Sequence, residues 1–407
     1  MLSFQAEAEG RILAVNLAEQ PDATIARFEF EKHLASLLQD NPVWPESTKN
    51  VSEIRLSFRV QRQGLKSIFG ETTTIHLDIV DYPGEWLLDL GLMDKSYETW
   101  SQNILTTFTK DEGIAEKAYL KKARDFDGNA KHSETVLAEL TKDFRELILQ
   151  RHASGKTDTV PGRFLLPGEL EGAPAITFAP LPKTNGNKRS AYGVFESRFE
   201  SYKKKVIAPF FKTHFSKIDR QIVLIDVLGA LEKGKDALST LEKAMTDILS
   251  AFRPGKNGLV ELFLGRKIEK IAFVATKADL LHHFHHEKIV DLTRALVKSA
   301  ERRALYSDAQ TSAKALASLR STIEDKAKHD GKELAIVRGK RASDGKSVGF
   351  HFGDLPLDSE AYLLGSDIGK FEAPKLLPPD LTSRSKSGLP HVRMDQLVEF
   401  LIGDRLR

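Results

Sequence analysis

The 407 residues contain no cysteine. That excludes disulfides, thiolate metal sites and a thiol nucleophile; it suits a reducing compartment without requiring one. Long apolar runs are also lacking. The longest are pieces such as "IVLIDVLGAL" (222–231), well short of a membrane span. The N-terminus, "MLSFQAEAEG", shows no basic segment leading into an apolar one, so no signal peptide is visible. Nor does charge of one sign dominate: 60 Lys and Arg against 57 Asp and Glu leave +3. The short basic runs "YKKKV" (202–206) and "RGKRA" (338–342) come with no aromatic platform or basic face, so nucleic acid is not an expected partner. What remains is ordinary for a globular chain, 41% hydrophobic and 29% charged, with length for two or three domains. A soluble cytoplasmic protein is the expectation.

Periodicity supplies the elements. "GRILAVNLAE" (10–19) reads as a short strand and "ARFEFEKHLASLL" (26–38) as a helix. "VSEIRLSFRV" (51–60) alternates, with Ile54, Leu56, Phe58 and Val60 on one face and Arg55, Ser57 and Arg59 on the other. "TTTIHLDIVD" (72–81) repeats the pattern with Ile75, Leu77 and Ile79, which predicts an antiparallel pair. Residues 94–153 read as two amphipathic helices broken near "DFDGN", and 160–182, rich in Pro and Gly, as irregular chain. A helix is expected over about 193–214, buried strands at "RQIVLIDVL" (220–228) and "KIAFVATKAD" (270–279), and an interrupted helix over about 287–329. "KELAIVRGK" (332–340) reads as one more strand and "VRMDQLVEFLIGDRL" (392–406) as a closing helix. Apolar strands alternating with helices predict an α/β three-layer core with a mixed, mostly parallel sheet. The expected layout is a core built from 1–94 and 216–342, a mainly helical insertion at 95–215, a small loop-rich insertion at 343–390, and a core helix at 391–407.

Two strand ends carry chemistry. In "LDIVDYPGEW" (77–86) an apolar run ends on Asp81, and Gly84 follows three residues on. A carboxylate there can hold a Mg²⁺-bound water, and the glycine lets a backbone N–H approach a terminal phosphate. A plain Pro-Gly turn with an Asp bonded to its own loop explains the same letters. In "FVATKADLL" (273–281) a strand ends in Thr276-Lys277-Ala278-Asp279. A carboxylate beside a purine accepts two hydrogen bonds from guanine, which adenine cannot donate, and a lysine stem can cover the ring. The alternative is Asp279 as a helix cap. Each match is weak alone; two in this order, each directly after a buried strand, are far rarer. "LHHFHHEK" sets His282 and His286 four apart, as metal sites often do, but without a carboxylate pattern it reads as an exposed histidine-rich helix start.

With "WPESTKNVSEIRL", these two stretches give the chain its resemblance to the YcjX-like family of bacterial P-loop GTPases. The resemblance implies a Ras-like core with large added segments, guanine nucleotide (GTP or GDP) and Mg²⁺ binding, and a cytoplasmic, stress-linked role. Carried over, Asp81 and Thr48 would face Mg²⁺, Gly84 the phosphate, and Thr276, Lys277 and Asp279 the base. Arg338 and Gly339 would lie in a further loop touching the base. Glu85 stands where many such GTPases carry a water-orienting glutamine. A carboxylate there repels phosphate, so slow hydrolysis is expected.

One part is missing. The family expects a strand, G-x-x-x-x-G-K-[ST] and a helix ahead of these motifs. "GKT" at 155–157 has Gln150 where the first glycine belongs, and "GKS" at 345–347 has Lys340. The resemblance then implies that the chain starts beyond that segment, through truncation or an internal methionine used as a start. It further implies two sheet strands with unpaired edges and an apolar scar, lower stability, and weak nucleotide binding. The alternative function is a non-catalytic scaffold that binds a protein partner through its helical insertion.

Overall fold

The computed structural model describes residues 3–62, 72–156, 160–214, 217–250, 268–305, 309–329, 331–365, 369–381 and 388–407. The chain divides into two compact units. The first comprises Met1–Asp81, Asp219–Leu238 and Ile268–Arg407; the second comprises Tyr82–Ile218 and Ser239–Lys267. The class is mixed α/β. No helix among the described residues is long and apolar enough to cross a membrane.

In the first unit, strands β1 (Ile12–Ala18), β2 (Ala26–Arg27), β3 (Ser52–Gln61) and β4 (Thr72–Asp81) form one sheet. β3 pairs antiparallel with β4 over its whole length, from Ser52 opposite Asp81 to Gln61 opposite Thr72. β1 and β2 share its other edge. The alternation read in 51–60 and 72–81 is this hairpin, since a period of two places Leu56, Phe58, Ile75 and Leu77 against one apolar cluster.

A second sheet holds β5 (Arg220–Ile225), β6 (Lys270–Ala275) and β7 (Gln310–Ala315), all parallel and in the order β5-β6-β7. β6 is its centre, and its last five residues are buried, as a strand covered on both faces must be. A third, antiparallel sheet joins β8 (Thr322–His329), β9 (Lys332–Lys340) and β10 (Ser347–Phe350).

The interrupted helix expected over 287–329 is only partly there. It runs from His286 to Leu305, and β7 and β8 follow. "QTSAKA" has little apolar signal of its own; it is a strand because it completes a parallel sheet. Among the described residues, nothing pairs with the second edge of β4 or of β5. Ile79 on β4 and Ile222 and Leu224 on β5 are 43%, 44% and 65% exposed.

The helix Met394–Ile402 ties two of these sheets together. Val398 and Ile402 pack against the β3–β4 cluster, while Leu397 and Leu401 pack on Ala272 and Val274 of β6. Its C-terminal carbonyls are capped by cations: Arg220 Nε donates to Leu401 O at 2.8 Å and Lys270 Nζ to Phe400 O at 2.8 Å. Both cations also reach Asp404, at 2.9 and 2.6 Å. Positive charge at this end complements the helix dipole.

The second unit is helical, with helices Tyr97–Asp111, Ile114–Asp125, Glu134–Ala153 and Ala191–Tyr202; the last continues through a π turn into Ala208–His214. The periodicity reads the first two as one. Glu112, in the left-handed region at φ 52°, breaks them before Gly113. Ser96, Ser133 and Ser190 cap three N-termini. The core is aromatic: Trp100 stacks on Phe199 at 5.1 Å and meets Phe144 and Phe178 edge-on. The irregular chain near 180 can be buried because helix side chains satisfy its carbonyls. Tyr97, Tyr119 and Ser101 donate to Ala179, Pro180 and Leu181.

Asp89 is fully enclosed in this unit. It accepts from Tyr202 Oη at 2.8 Å and from the Gly162 N–H at 2.7 Å. Burial pushes its carboxyl up to about 7, against the pull of those two donors and Arg163.

Two stability changes follow. Leu401→Ala removes a side chain common to the helix and β6, and should cost about 2–5 kcal/mol in denaturant unfolding; a loss near zero would show that the helix is not what joins the sheets. Asp89 favours folding below its unfolded value near 3.8, and that contribution drains away as pH rises through about 7. Asp89→Asn, which stays neutral, should therefore gain on the wild type by up to about 4 kcal/mol between about pH 4 and pH 8. A difference independent of pH in paired melts would refute the raised carboxyl.

Candidate functional site

The parallel sheet ends at Ile225, Ala275 and Ala315, in register across its three strands. Loops leaving the carboxyl ends of such strands are where α/β sheets hold ligands. Here they carry Asp226, then Thr276 to Asp279, then Leu316 to Ser321.

Thr276 is tied back to the sheet, its N–H donating to Ile225 O at 3.1 Å and its hydroxyl reaching the same oxygen at 3.4 Å. Lys277 follows in the left-handed region, φ 60° and ψ 30°. That places the reversal directly after the strand. Its Nζ donates to Asp226 Oδ2 at 2.7 Å, and both side chains are about half exposed. Asp226 Oδ1 in turn accepts the Gly229 N–H at 3.0 Å, capping the helix Val227–Lys233.

Asp279 is 6% exposed. Its Oδ2 accepts from Ser321 twice, from N–H at 2.9 Å and from Oγ at 2.7 Å. Thr322 Oγ1 donates to its backbone carbonyl. The neighbouring Ala278 N–H donates to Leu316 O at 3.1 Å. Ser321 is thus part of the group, and the sequence motifs do not include it. Reading 287–329 as helix hides the loop after β7 that delivers it; a Ser-rich stretch, "ASLRST", is the only hint.

Arg338 and Gly339 do not lie in a base-touching loop. They are interior residues of β9, opposite Ile323 and Thr322, and Arg338 is paired with Asp325 at 2.7 Å. The expectation places this run after the last strand of the parallel sheet; that strand is β7, and β9 belongs to a separate antiparallel sheet. Gly339 still borders the group, because a Cβ there would stand 3.3 Å from Ser321 O.

At the other strand end, Thr48 Oγ1 donates to Asp81 Oδ2 at 2.7 Å. A hydroxyl and a carboxylate, both hard oxygen donors, fit Mg²⁺ by type. Gly84 and Glu85 belong to the helical unit, at the start of the 3-10 stretch Gly84–Leu92. Gly84 is exposed, and a Cβ on it would meet nothing within 4 Å. Its own backbone therefore does not require glycine. Gly162 differs, since a Cβ there would sit 2.1 Å from Glu85 O. Glu85 Oε1 lies 3.9 Å from His152 Nε2.

The two G-K-[ST] stretches lie far from strand-to-helix turns. Gly155 and Lys156 follow the helix ending at Ala153, with Thr157 outside the described residues, and Lys156 Nζ is 3.5 Å from Asp111. Gly345 lies in the turn between β9 and β10. The histidine run is not simply exposed either. His282 and His286 are buried, and His286 Nε2 lies 2.9 Å from Ala278 O and 3.2 Å from Leu281 O, holding the turn after Asp279.

Comparison with known proteins gives the family. The family model described as "YcjX-like family, DUF463" matches residues 1–406. The "Ras-like GTPase YcjX" of Escherichia coli (strain K12) is 34% identical over 417 residues, covering 99% of this chain and 88% of that protein. The "Ras-like GTPase YcjX" of Shewanella oneidensis (strain ATCC 700550) is 31% identical over 421 residues, covering 99% and 86%. With a family match along nearly its whole length, the chain belongs to the YcjX-like family.

Proposed function

We propose that this chain carries the base-reading and magnesium-facing parts of a GTPase site. The observation that carries the reading is Asp279: one carboxylate oxygen is fixed by Ser321, at the carboxyl end of a parallel sheet, while Oδ1 accepts nothing from the described residues. A fixed carboxylate with acceptor capacity left can take the paired donors of guanine and offers no match to adenine. Lys277, held among the described residues by a half-exposed pair with Asp226, can turn to cover the ring. Relatives named as Ras-like GTPases support the same class.

Thr48 and Asp81 would hold Mg²⁺, which when bound offsets phosphate charge. The Gly84 N–H would meet the terminal phosphate, and Glu85 would orient the attacking water. A carboxylate at Glu85 would repel the phosphate it serves, so turnover should be slow. The sequence has no G-x-x-x-x-G-K-[ST] to cradle the phosphates. The open edges of β4 and β5, with Ile79, Ile222 and Leu224 exposed, are where a strand bringing such a loop would pair. This chain alone should therefore bind nucleotide weakly but still prefer guanine.

Titration of the chain with GDP, GTP and ATP in the presence of Mg²⁺ tests both parts. Guanine nucleotides should bind more weakly than micromolar yet ahead of ATP, and Asp279→Ala should remove that preference, worth about 1.5–3 kcal/mol. Equal affinity for both bases, or a preference that survives Asp279→Ala, sinks the base reading and favours an interaction scaffold. Micromolar or tighter binding overturns the claim of weakness.

A further inference from the structure

His282, His283 and Glu324 each bring one ligand atom within 4.8 Å of the others, and the nucleotide reading uses none of them. The two histidines open the short turn His283–His285 that leads into the helix from His286, and Glu324 stands on β8. Glu324 is held by one oxygen from the backbone and turns the other toward both imidazoles. Its Oε1 accepts the His283 N–H at 3.1 Å and lies 3.6 Å from Arg320. Its Oε2 lies 2.7 Å from His283 Nδ1 and 3.9 Å from His282 Nε2. Anchoring the outer oxygen of a ligating carboxylate in this way is what metal sites do to fix geometry.

Desolvation pushes His282 below the ordinary histidine value, against the pull of Glu324. Burial opposes ionising Glu324, but the hydrogen bonds from His283 outweigh it and hold the carboxyl below the usual range. His282 also lines a small cavity of about 10 Å³, room for one water, together with His285 and His351. The buried Nδ1 of His285 has no hydrogen-bond partner among the described residues.

Two imidazole nitrogens and one carboxylate select a borderline cation such as Zn²⁺ over Mg²⁺ or Ca²⁺. We propose that His282 Nε2, His283 Nδ1 and Glu324 Oε2 form a zinc-class site, three protein ligands with one position left for water. Occupancy would clamp the turn that follows Asp279 onto β8. Three features limit its strength. An ion at His283 Nδ1 must displace the proton that joins it to Glu324 Oε2 at 2.7 Å, and that proton moves to the ring's Nε2. Arg320 and Lys326 place positive charge nearby, and metal at Nε2 moves a proton to His282 Nδ1, which gives up its long 3.4 Å contact from the Phe284 N–H.

The test uses the full chain, stripped with chelator and titrated with Zn²⁺ alone by calorimetry and with Co²⁺ by visible absorption. We expect one ion per chain, the intense visible bands of four-coordinate cobalt, and a rise in melting temperature with Zn²⁺. His283→Ala, at a side chain 54% exposed and so dispensable to folding, and Glu324→Gln should each weaken binding about tenfold or more. His391→Ala, at an exposed histidine elsewhere, should not. No zinc binding to the wild type, or binding that both site variants leave unchanged, overturns the proposal.

Discussion

The helix Met394–Ile402 is the constraint on which the first unit depends. The β1–β4 sheet and the β5–β7 sheet exchange no strand pairing among the described residues. What they share is a helix that packs Val398 and Ile402 on one and Leu397 and Leu401 on the other. Hydrophobic burial is non-directional, so it alone would let the helix slide. Direction comes from Arg220 and Lys270, which start β5 and β6 and reach the helix's last carbonyls and Asp404. The strand starts are pinned below, and the strand ends, with Asp226, Lys277 and Asp279, are thereby set in register above. Asp81 is fixed separately, by its pairing with Ser52 on β3.

Much of this is legible in the sequence, and the reason is periodicity. The alternation in 51–60 and 72–81 defines the hairpin to its last pair, and the closed apolar runs at 220 and 270 define two parallel strands. β7 is not legible. Its side chains are small and its neighbours polar, so only its partner β6 makes it a strand. That one miss propagates. It displaces the loop carrying Ser321, and it moves the expected end of the sheet onto Arg338 and Gly339. The histidine run fails for a related reason. Period and spacing link His282 with His286, but the chain reverses between them and β8 returns alongside, so the partner of His282 is Glu324, 42 positions away. Strand-end motifs survive such errors because they need only a strand and the residues just past it.

The two charged groups in the TKAD segment differ in how far they are already committed. Lys277 and Asp226 form a half-exposed pair, worth little in water and therefore cheap to exchange for a ligand. Asp279 is buried, and its bonds to Ser321 are protected from solvent. Breaking those would strand a buried carboxylate. In the proposed site a ligand would recruit the lysine by displacement but would have to take the aspartate as it stands. A rigid acceptor beside a movable cation is what the proposed base selectivity would require, since selectivity rests on the group that cannot adjust.

The exposed rows on β4 and β5 set the remaining argument. Edge strands are normally short, charged or covered. β4 has ten residues and still leaves Ile79 exposed; β5 alternates buried Val223 and Ile225 with exposed Ile222 and Leu224. A strand whose two faces are both apolar is the pattern of an interior position in a parallel sheet, and β6 shows it fully realised one place over. β5 has the sequence of such a strand and the surroundings of an edge. The mismatch lies beside the strand ends that bear Asp81 and Asp226. On the proposed function, sheet completion and phosphate binding would coincide: a strand pairing along β5 would cover Ile222 and Leu224 and end level with Asp226.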